Sequence, residues 1–313
     1  MATDDGVTIS RQVRLTPDEL AEVLALKDIC DTLEGLDLKL GYGAAEPEHA
    51  RYPAVVLARA GGQLVGYCSL DGDNAVAEMC GMVRPEWRRR RLGFRLFDAA
   101  RAGFSDVGGQ QIFAVCEEGA AAGRAFLRML AAQRAFSEHR MQLRRAPAVA
   151  PARDQPDALS IARARTEDYH PLSAALARAF DNTEERLLGD ITSASAIATE
   201  QVYVARLGGA IIGGFRLSVM PDSTGIYAFG IDRGYQRQGW GREMLAQACA
   251  LAAGQGARRI TLEVDTDNTA AIALYRSSGF EVTTTYGYYI FSPTLLAVGL
   301  DLDDASDEVS EQA

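Results

Sequence analysis

The most constraining feature of this chain is residues 226–242, which read IYAFGIDRGYQRQGWGR. A short apolar segment runs into a loop of the form Gln-x-x-Gly-x-Gly, with Gln236, Gly239 and Gly241 at the fixed positions. A helix that begins at such a loop presents backbone N–H groups and the positive end of its dipole, and glycine lets an anion approach the backbone closely. The segment therefore predicts a strand, a phosphate-binding loop and a helix. Because a single G-x-G is more often an ordinary turn, its interpretation depends on the rest of the chain.

A second segment follows, and residues 261–280 read TLEVDTDNTAAIALYRSSGF. It predicts a strand and then a short helix that carries one tyrosine and ends at Gly-Phe. The two segments together resemble the GNAT superfamily of acetyl-CoA-dependent N-acetyltransferases, whose second motif has the form Asn-x-x-Ala-x-x-Leu-Tyr followed by Gly-Phe. The matching positions are Asn268, Ala271, Leu274, Tyr275, Gly279 and Phe280.

The chain contains the same pattern twice. Gly61-Gly62 and Gly208-Gly209 lie 147 residues apart, and each pair separates two apolar segments as a two-residue hairpin turn does. Arg88–Gly93 aligns with Gln236–Gly241 without a gap at an offset of 148 residues. An offset that stays this constant indicates two copies of one domain. A shifted alignment of the first loop, Arg90-x-x-Gly93-x-Arg95, is the alternative, and it also loses one small residue.

The expected fold class is α/β. The resemblance implies two tandem GNAT folds, each a mixed, twisted sheet that is splayed between its fourth and fifth strands and has helices on both faces. We expect a degenerate GNAT domain at residues 1–143, a linker at 144–158, a catalytic GNAT domain at 159–296 and an acidic, disordered tail at 297–313. Thr16 with Glu19 three residues later predicts a capping box at the first helix.

The resemblance also assigns roles to residues of the second copy. The splayed strand around Phe229, Gly230 and Ile231 would hold the acetyl and pantetheine groups of acetyl-CoA, and Asn268 and Ala271 would bind the cofactor at the start of the second helix. Tyr275 would protonate the departing thiolate, since a phenol carries its proton at neutral pH; its alternative role is packing. The pyrophosphate would bind to the loop, at Gln236, Arg237, Gln238, Gly239, Trp240, Gly241 and Arg242.

Glu263 is the candidate general base, because it matches a glutamate with that role in the ribosomal-protein N-terminal acetyltransferases of this superfamily. The alternative is a structural glutamate that bonds a neighbouring strand. Tyr227 is a second candidate, and many family members use bulk water instead. The first copy has Glu78 where the second has Ile226, a place where some members keep a carboxylate.

The first copy differs from the second at the positions that carry the chemistry. Arg91 stands where the loop has Gly239, and its side chain should crowd a pyrophosphate. At an offset of 149 residues, Gly119, Ala114 and Phe126 stand where the second copy has Asn268, Glu263 and Tyr275. This copy is therefore expected to be a structural partner, to shape the substrate cleft, or to bind acetyl-CoA without turnover. The arginines at 88–91 form either a phosphate-attracting cluster or a solvated loop.

Composition excludes several other classes of protein. Of the net charge of −10, six negative charges lie in the last thirteen residues, which have no Lys or Arg. Outside Arg88–Arg91 there is no basic stripe, so no nucleic-acid partner is expected. The acidic N-terminus is unlike a signal peptide and no apolar stretch is long enough to span a bilayer, so a cytoplasmic protein without a membrane partner is expected. Five scattered cysteines and three histidines predict no metal site.

The sequence thus predicts an N-acetyltransferase that moves acetyl from acetyl-CoA to a primary amine of a small molecule or a protein N-terminus, with its active site in the C-terminal domain. The tandem architecture is similar to that of mycothiol synthase, but no residue identifies the acceptor. The alternative is a non-catalytic acyl-CoA-binding or regulatory tandem module, which would not need the hydroxyl of Tyr275. The tyrosines at 286, 288 and 289 either form a last strand or line an acceptor cleft.

Overall fold

The computed structural model describes residues 6–41, 54–72, 75–145, 158–220 and 223–291. The chain divides into two compact units, one formed by residues 1–137 with 285–313 and the other by residues 138–284. The predicted tail at 297–313 and most of the predicted linker at 144–158 lie outside the described residues.

The sheet of the first unit has the strand order β1-β2-β3-β4-β5-β12, in which β4 and β5 are parallel and the other neighbouring strands are antiparallel. Helix α1 covers one face, and α2 and α3 cover the other. The elements are β1 (Val7–Gln12), α1 (Pro17–Glu34), β2 (Val55–Ala60), β3 (Gln63–Gly72), β4 (Val76–Val83), α2 (Leu92–Ser105), β5 (Gln111–Glu117), α3 (Ala121–Met129), the start of β6 (Gln133–Leu143) and the end of β12 (Phe280–Ile290).

The second unit repeats this plan. Its sheet has the order β6-β11-β10-β9-β8-β7, with β10 and β11 parallel. Helices α4 and α5 cover one face, and α6 and α7 cover the other. The elements after β6 are β7 (Ser160–Arg163), α4 (Tyr169–Phe180), α5 (Glu184–Ser195), β8 (Glu200–Leu207), β9 (Ala210–Val219), β10 (Ser223–Ile231), α6 (Trp240–Gly254), β11 (Arg259–Asp265) and α7 (Thr269–Ser277).

Local sequence signals account for the turns and caps that define these elements. Both glycines of each predicted hairpin have positive φ, 54° and 85° at Gly61-Gly62 and 55° and 88° at Gly208-Gly209. Two positive φ values are what a type I′ turn requires, so the glycines explain both hairpins. The capping box at α1 is also present, since Glu19 N–H donates to Thr16 Oγ1 and Thr16 N–H donates to the Glu19 carboxylate.

In both units the two central parallel strands part. β4 pairs with β5 only from Val76 to Met79, and β10 pairs with β11 only from Ser223 to Ile226. Beyond these pairs, the facing edges of β4 and β5 are no longer paired with each other, and neither are the facing edges of β10 and β11. The predicted mixed sheets with a splay between the fourth and fifth strands are confirmed.

The last strand of each repeat belongs to the sheet of the other repeat. Residues 138–142 of β6 pair with β11, and residues 286–289 of β12 pair with β5. The compact units are therefore bounded differently from the predicted domains, although each predicted domain supplies most of one unit. The sequence pattern offers a strand as one alternative at Tyr286, Tyr288 and Tyr289 and predicts no strand at β6. It does not say which sheet edge such a strand joins, because a strand's partner is set by tertiary packing.

The exchanged strand β6 contributes to the core of the second unit through Met141, which is fully buried there. We predict that Met141→Ala lowers the free energy of unfolding by about 2–5 kcal/mol, because it removes buried methylenes and leaves a cavity. Met220→Ala is the matched control: this methionine of the same unit is 44% exposed and its replacement should cost less than about 0.5 kcal/mol. Chemical denaturation measures both, and equal effects would mean that β6 is not part of this core.

Candidate active site

The loop predicted to bind phosphate joins β10 to α6. Arg237 and Gly239 both have left-handed backbone conformations, with φ of 64° and 90°, and Gly239 is the N-cap of α6. The backbone N–H groups of Arg237, Gly239 and Gly241 have no acceptor among the described residues, whereas the N–H of Arg242 donates to Gly239 O at 3.1 Å. An apolar side chain, Leu274, lies behind Gly241. The loop therefore offers the cradle of N–H groups that an anion needs.

Side chains on both sides of the loop hold it in place. Gln236 Nε2 donates to Ile231 O at 2.8 Å, and Arg178 on α4 donates to Asp232 Oδ2 at 2.7 Å. Asp232 also accepts from Gly234 N–H at 3.0 Å. Burial alone would raise the pKa of Asp232, but the hydrogen bonds from Arg178 and Gly234 outweigh it and hold the pKa below its ordinary value. The side chains of Gln236 and Asp232 are therefore both used in hydrogen bonds that stabilise the loop.

A β-bulge reshapes β10 where it parts from β11. Tyr227 pairs with Arg216 of β9 and Gly230 pairs with Gly214, so Ala228 and Phe229 together stand opposite Phe215. Ala228 takes up the extra residue with φ of 47°. Gly230 has no room for a side chain, since a Cβ there would lie 2.8 Å from Phe180 Cζ and 3.0 Å from Leu176 Cδ2 of α4. Bulges re-aim backbone groups and side chains beside functional sites.

Tyr275 lies on α7 next to this bulge. Its ring meets those of Phe229 and Phe280, each with a centroid distance of 6.1 Å. The ring is buried, yet the phenol oxygen has no hydrogen-bond partner among the described residues. Desolvation raises the pKa of Tyr275 to about 12, so the hydroxyl stays protonated at neutral pH and can donate a proton.

Glu263 is the first residue of β11 beyond the last pair with β10. On its other side it pairs with Arg140 of β6, whose Nη2 and Nε lie 3.1 and 3.3 Å from Glu263 Oε1. This ion pair joins a residue of the first repeat to the candidate base of the second. It supports both alternatives for Glu263, since a strand-bonded glutamate and a positioned base would each use this contact.

Tyr275 and Glu263 lie on opposite faces of the sheet, beside the edges of β10 and β11 that no longer pair with each other. Leu262 and Val264 belong to the core beneath α6 and α7, which also contains Tyr275. Because successive side chains of a strand point to opposite faces, Glu263 points to the face covered by α4 and α5. Tyr227 carries its ring beneath the guanidinium of Arg216, with 5.3 Å between the guanidinium carbon and the ring centroid.

Asn268 is the N-cap of α7. Its Oδ1 accepts from the N–H of Ala271 at 3.1 Å, and the residue is exposed. The capping bond uses the acceptor of the amide and leaves its NH₂ donors for a ligand. Asn268 and Ala271 therefore have a clear helix-starting role whether or not they contact a cofactor.

The first unit reproduces the loop but not the site. Arg89 and Arg91 have φ of 62° and 58°, so the backbone matches that of Arg237 and Gly239 and the ungapped alignment is correct. α2 is capped by Arg91, where α6 is capped by Gly239. β4 pairs with β3 without a register shift, so the bulge is missing.

The structure corrects the offset used for the second motif. A Cβ at Gly93 would contact Phe126, as a Cβ at Gly241 would contact Leu274, and α3 begins at Ala121 as α7 begins at Thr269. The offset of 148 residues thus holds from the loop to the short helix, and the predicted match of Tyr275 with Phe126 is wrong. The true counterparts of Asn268, Glu263 and Tyr275 are Ala120, Val115 and Leu127. The offset of 149 requires one residue fewer in the first copy between the loop and the short helix, but the two copies have the same length there.

Sequence reasoning missed three parts of the site: the contact of Arg140 with Glu263, the contact of Arg178 with Asp232, and the bulge at Ala228. Arg140 and Arg178 are ordinary surface-type residues in the sequence, and their partners lie on other elements. Only Asp232 carries a local signal, since an aspartate before Arg-Gly is typical of a short helical turn. Tyr286 and Tyr288 lie in β12, so the strand prediction holds for them; both are buried in the first unit.

Two further properties bear on the class of protein. Across the described ranges, no three His, Cys, Asp or Glu side chains come together as a metal site would require. No helix in the part of the chain that the structure describes is both long and apolar enough to cross a membrane.

The fold, with a cradle of backbone N–H groups and a buried tyrosine beside the opening of the sheet, is that of an acyl-group transferase. The acetyltransferase (GNAT) family model matches residues 26–131 and 164–280. The chain belongs to this family and is an acetyl-CoA-dependent N-acetyltransferase with two tandem GNAT domains.

Relatives and solved structures agree with this assignment. A mycothiol acetyltransferase of Thermobifida fusca is 27% identical over 308 residues, covering 86% of this chain and 93% of the relative. The ribosomal protein bS18-alanine N-acetyltransferase of Escherichia coli is 40% identical over 72 residues, 23% of this chain and 49% of the relative. A GCN5-related N-acetyltransferase from Sphaerobacter thermophilus has the same fold, with a TM-score of 0.69 at 18% identity over 91% of this chain and 95% of that one.

We predict that Gly239→Arg, which copies Arg91 of the first repeat, weakens acetyl-CoA binding at the second copy by about tenfold or more. The arginine side chain crowds the pyrophosphate away from the backbone, and the loss of one charge-assisted hydrogen bond to the loop is worth that much. Gly256→Arg is the matched control. Gly256 follows the other end of α6 with φ of 88° and no atom near its Cβ, so it suffers similar backbone strain away from the loop. Calorimetry on both variants separates a binding role from strain; equal losses of affinity would contradict the loop assignment.

A pH prediction follows from Asp232. Its carboxylate stabilises the fold at pH values above its unfolded pKa, and this contribution disappears as the pH falls through the lowered pKa of the folded state. Because Arg178 is 53% exposed, we expect Asp232→Asn to cost only about 1 kcal/mol at pH 7. The difference from the wild type should shrink as the pH is lowered below about 4. Thermal melts from pH 7 to pH 3 test this, and a difference that stays constant would contradict it.

Proposed function

We propose that the second copy is the working active site and that it transfers the acetyl group of acetyl-CoA to a primary amine. The observation that carries this proposal is Tyr275, a protonated phenol without a hydrogen-bond partner among the described residues, placed beside the bulge of β10. This phenol and the carboxylate of Glu263 lie on opposite faces of the sheet, beside the point where β10 and β11 part. The loop from Gln236 to Arg242 lies at the end of the same strand.

The chemistry follows from what each group can do at its place. Loop N–H groups bind the pyrophosphate of the donor, and backbone groups of the bulge, at Phe229, Gly230 and Ile231, orient its thioester. Asn268 offers its amide NH₂ to the pantetheine arm. Tyr275 gives its proton to the sulfur as the C–S bond breaks, and it does so from the face covered by α6 and α7.

Glu263 acts on the amine from the opposite face of the sheet, the one covered by α4 and α5. A primary amine must be neutral before it attacks, and we propose that the Glu263 carboxylate accepts its proton through a water molecule. Arg140 fixes the carboxylate by holding Oε1, so the pair is a positioning device as well as a strand contact. The first copy has Val115, Leu127 and an unbulged β4 at these places, so it has no acid or base at the positions of Glu263 and Tyr275.

A small molecule with a primary amine is the favoured acceptor. The similarity to proteins named mycothiol acetyltransferase extends over both copies, whereas the similarity to the protein N-terminal acetyltransferase of Escherichia coli covers 72 residues. A match through the whole chain includes the helices α4 and α5 that cover the amine side of the second unit. An acceptor screen should therefore test amino sugars and amino-acid derivatives before protein N-termini.

We predict that Tyr275→Phe lowers kcat by about 10²–10⁴-fold with little change in KM, because the ring still packs but the proton donor is lost. Tyr203→Phe is the control: Tyr203 is also a buried tyrosine of the second unit, and its hydroxyl bonds Gln201 instead. Release of free CoA thiol in the presence of an amine panel provides the measurement. An unchanged kcat would remove Tyr275 from the mechanism, and an absence of turnover with every amine would favour the non-catalytic acyl-CoA-binding module.

A second prediction separates the two roles of Glu263. If Glu263 is the base, Glu263→Gln lowers kcat by about 10²-fold near neutral pH, and activity recovers at high pH as the amine loses its proton unaided. The amide keeps the shape and a hydrogen bond to Arg140, so stability should change little. A variant that melts earlier but turns over normally at every pH would show that Glu263 is structural.

A further inference from the structure

A row of polar side chains crosses the second unit on the face of the sheet that α4 and α5 cover. Arg216 of β9 pairs with Tyr227 of β10, and Glu263 of β11 pairs with Arg140 of β6. Tyr227 and Glu263 each follow directly after the last pair between β10 and β11. The four residues therefore lie at one level of the sheet, the level at which these two strands begin to part.

The row is accessible from the side on which the amine is proposed to enter. All four of its residues are partly exposed. The neighbours that point to the other face, such as Phe215, Leu217 and Leu262, are buried in the core beneath α6 and α7. The part of the acceptor that extends away from its amine therefore meets the side chains of this row.

Arg216 is held in one orientation by contacts in two directions. Its Nε lies 3.1 Å from Glu200 Oε2, and Ser218 Oγ donates to the other oxygen of that carboxylate at 2.6 Å. Its guanidinium also lies over the ring of Tyr227, with 5.3 Å to the ring centroid. That ring leans back over Gly225, since a Cβ on the glycine would lie 2.3 Å from Tyr227 Cε2. Glycine at this place therefore permits the stacking that orients the guanidinium.

The terminal nitrogens of Arg216 are available to a ligand. Neither of them donates a hydrogen bond to a described residue, and Nε meets Glu200 as an ion pair without hydrogen-bond geometry. The side chain of Glu200 is 13% exposed and that of Arg216 is 35% exposed, so an incoming group meets the guanidinium first. Polar groups left without hydrogen bonds at a partly buried site are costly, and an acceptor for these donors removes that cost.

The two ends of the row that face the opening carry opposite charges. Tyr227 separates the cation of Arg216 from the carboxylate of Glu263, whereas Arg140 is engaged by Glu263. Neighbouring strands lie about 4.8 Å apart, so a group bound over β10 and one bound at β11 are only a few ångströms from each other. A small molecule with both an amine and a carboxylate matches this spacing, and a guanidinium binds a carboxylate through two parallel hydrogen bonds.

We propose, building on the transferase function proposed above, that Arg216 determines acceptor specificity and that the acceptor is a small amino acid. The carboxylate of the acceptor binds the terminal nitrogens of Arg216, and its amine lies beside Glu263. Glu200 and Ser218 are positioning residues that hold Arg216. An amine without an acidic group would take water from the guanidinium and give it no partner, so the site selects against such amines.

The test compares acceptors that differ only in the acidic group. β-Alanine, 4-aminobutanoate and L-phenylalanine are each assayed beside the corresponding carboxamide, with acetyl-CoA and the full-length protein, by release of CoA thiol. Arg216→Met should lower the ratio of kcat/KM for acid over amide by about tenfold or more, mainly through the KM of the acid, because a hydrogen-bonded charge is worth that much. Comparing this ratio between proteins cancels the different amine pKa values of acids and amides.

Arg163→Met is the matched control. Arg163 also stacks on a tyrosine, 5.8 Å from the ring centroid of Tyr203, and its Nη2 donates to the backbone of Glu200. It pairs with Tyr203, whose side chain belongs to the core beneath α6 and α7, so it lies on the opposite face and its replacement should leave the ratio as in the wild type. Arg216→Lys is the second test variant, which keeps the charge if Arg216→Met fails to fold. It should lower the ratio by a smaller factor, because an ammonium has no planar fork.

A binding measurement separates this inference from the transferase function on which it rests. The N-acetyl derivatives of the three acids, titrated in the presence of CoA, should bind the wild type about tenfold or more tightly than Arg216→Met. Turnover without a preference for acids, or equal effects of Arg163→Met and Arg216→Met, would overturn the role of Arg216 and leave the transferase function standing. Binding that depends on Arg216 without turnover of any amine would support the carboxylate site and overturn the transferase function.

Discussion

The parting of two parallel strands is the constraint on which the rest of this enzyme depends. β10 and β11 share a register only from Ser223 to Ile226, and beyond that point each has an unpaired edge. The bulge at Ala228 completes the separation by turning the backbone of β10. An opening in the middle of a sheet is costly unless its polar groups are used, and a ligand with amide and thioester groups can use them. The anion loop, Tyr275 and Glu263 all lie at the ends or sides of this opening.

The exchanged strands make each unit depend on a segment of the other repeat. β6 comes from the first repeat, pairs with β11 and contributes buried Met141 to the core of the second unit. It also brings Arg140 to Glu263. The second unit is therefore incomplete without a segment of the first repeat.

The two copies show how one backbone plan supports different sites. Their loops agree even in the left-handed residues, Arg91 in one and Gly239 in the other. They differ in the bulge and in the residue on the short helix, Leu127 or Tyr275. With a leucine there and a continuous β4, the opening of the first unit is lined mainly by apolar side chains, whereas the second unit has a tyrosine at that place. Small changes at the opening therefore alter what enters it and leave the surrounding sheet unchanged.

The sequence by itself determined the duplication, the order of the elements and the anion loop, because hairpin glycines, helix caps and the Gln-x-x-Gly-x-Gly spacing act over a few residues. It also pointed to Tyr275. Tertiary structure alone decided that β6 and β12 change sheets, that β10 has a bulge, that Arg140 meets Glu263 and that Leu127, instead of Phe126, occupies the place of Tyr275. These features depend on which edges and side chains meet across more than a hundred residues of chain, and no local pattern of polarity or turn residues specifies such a meeting.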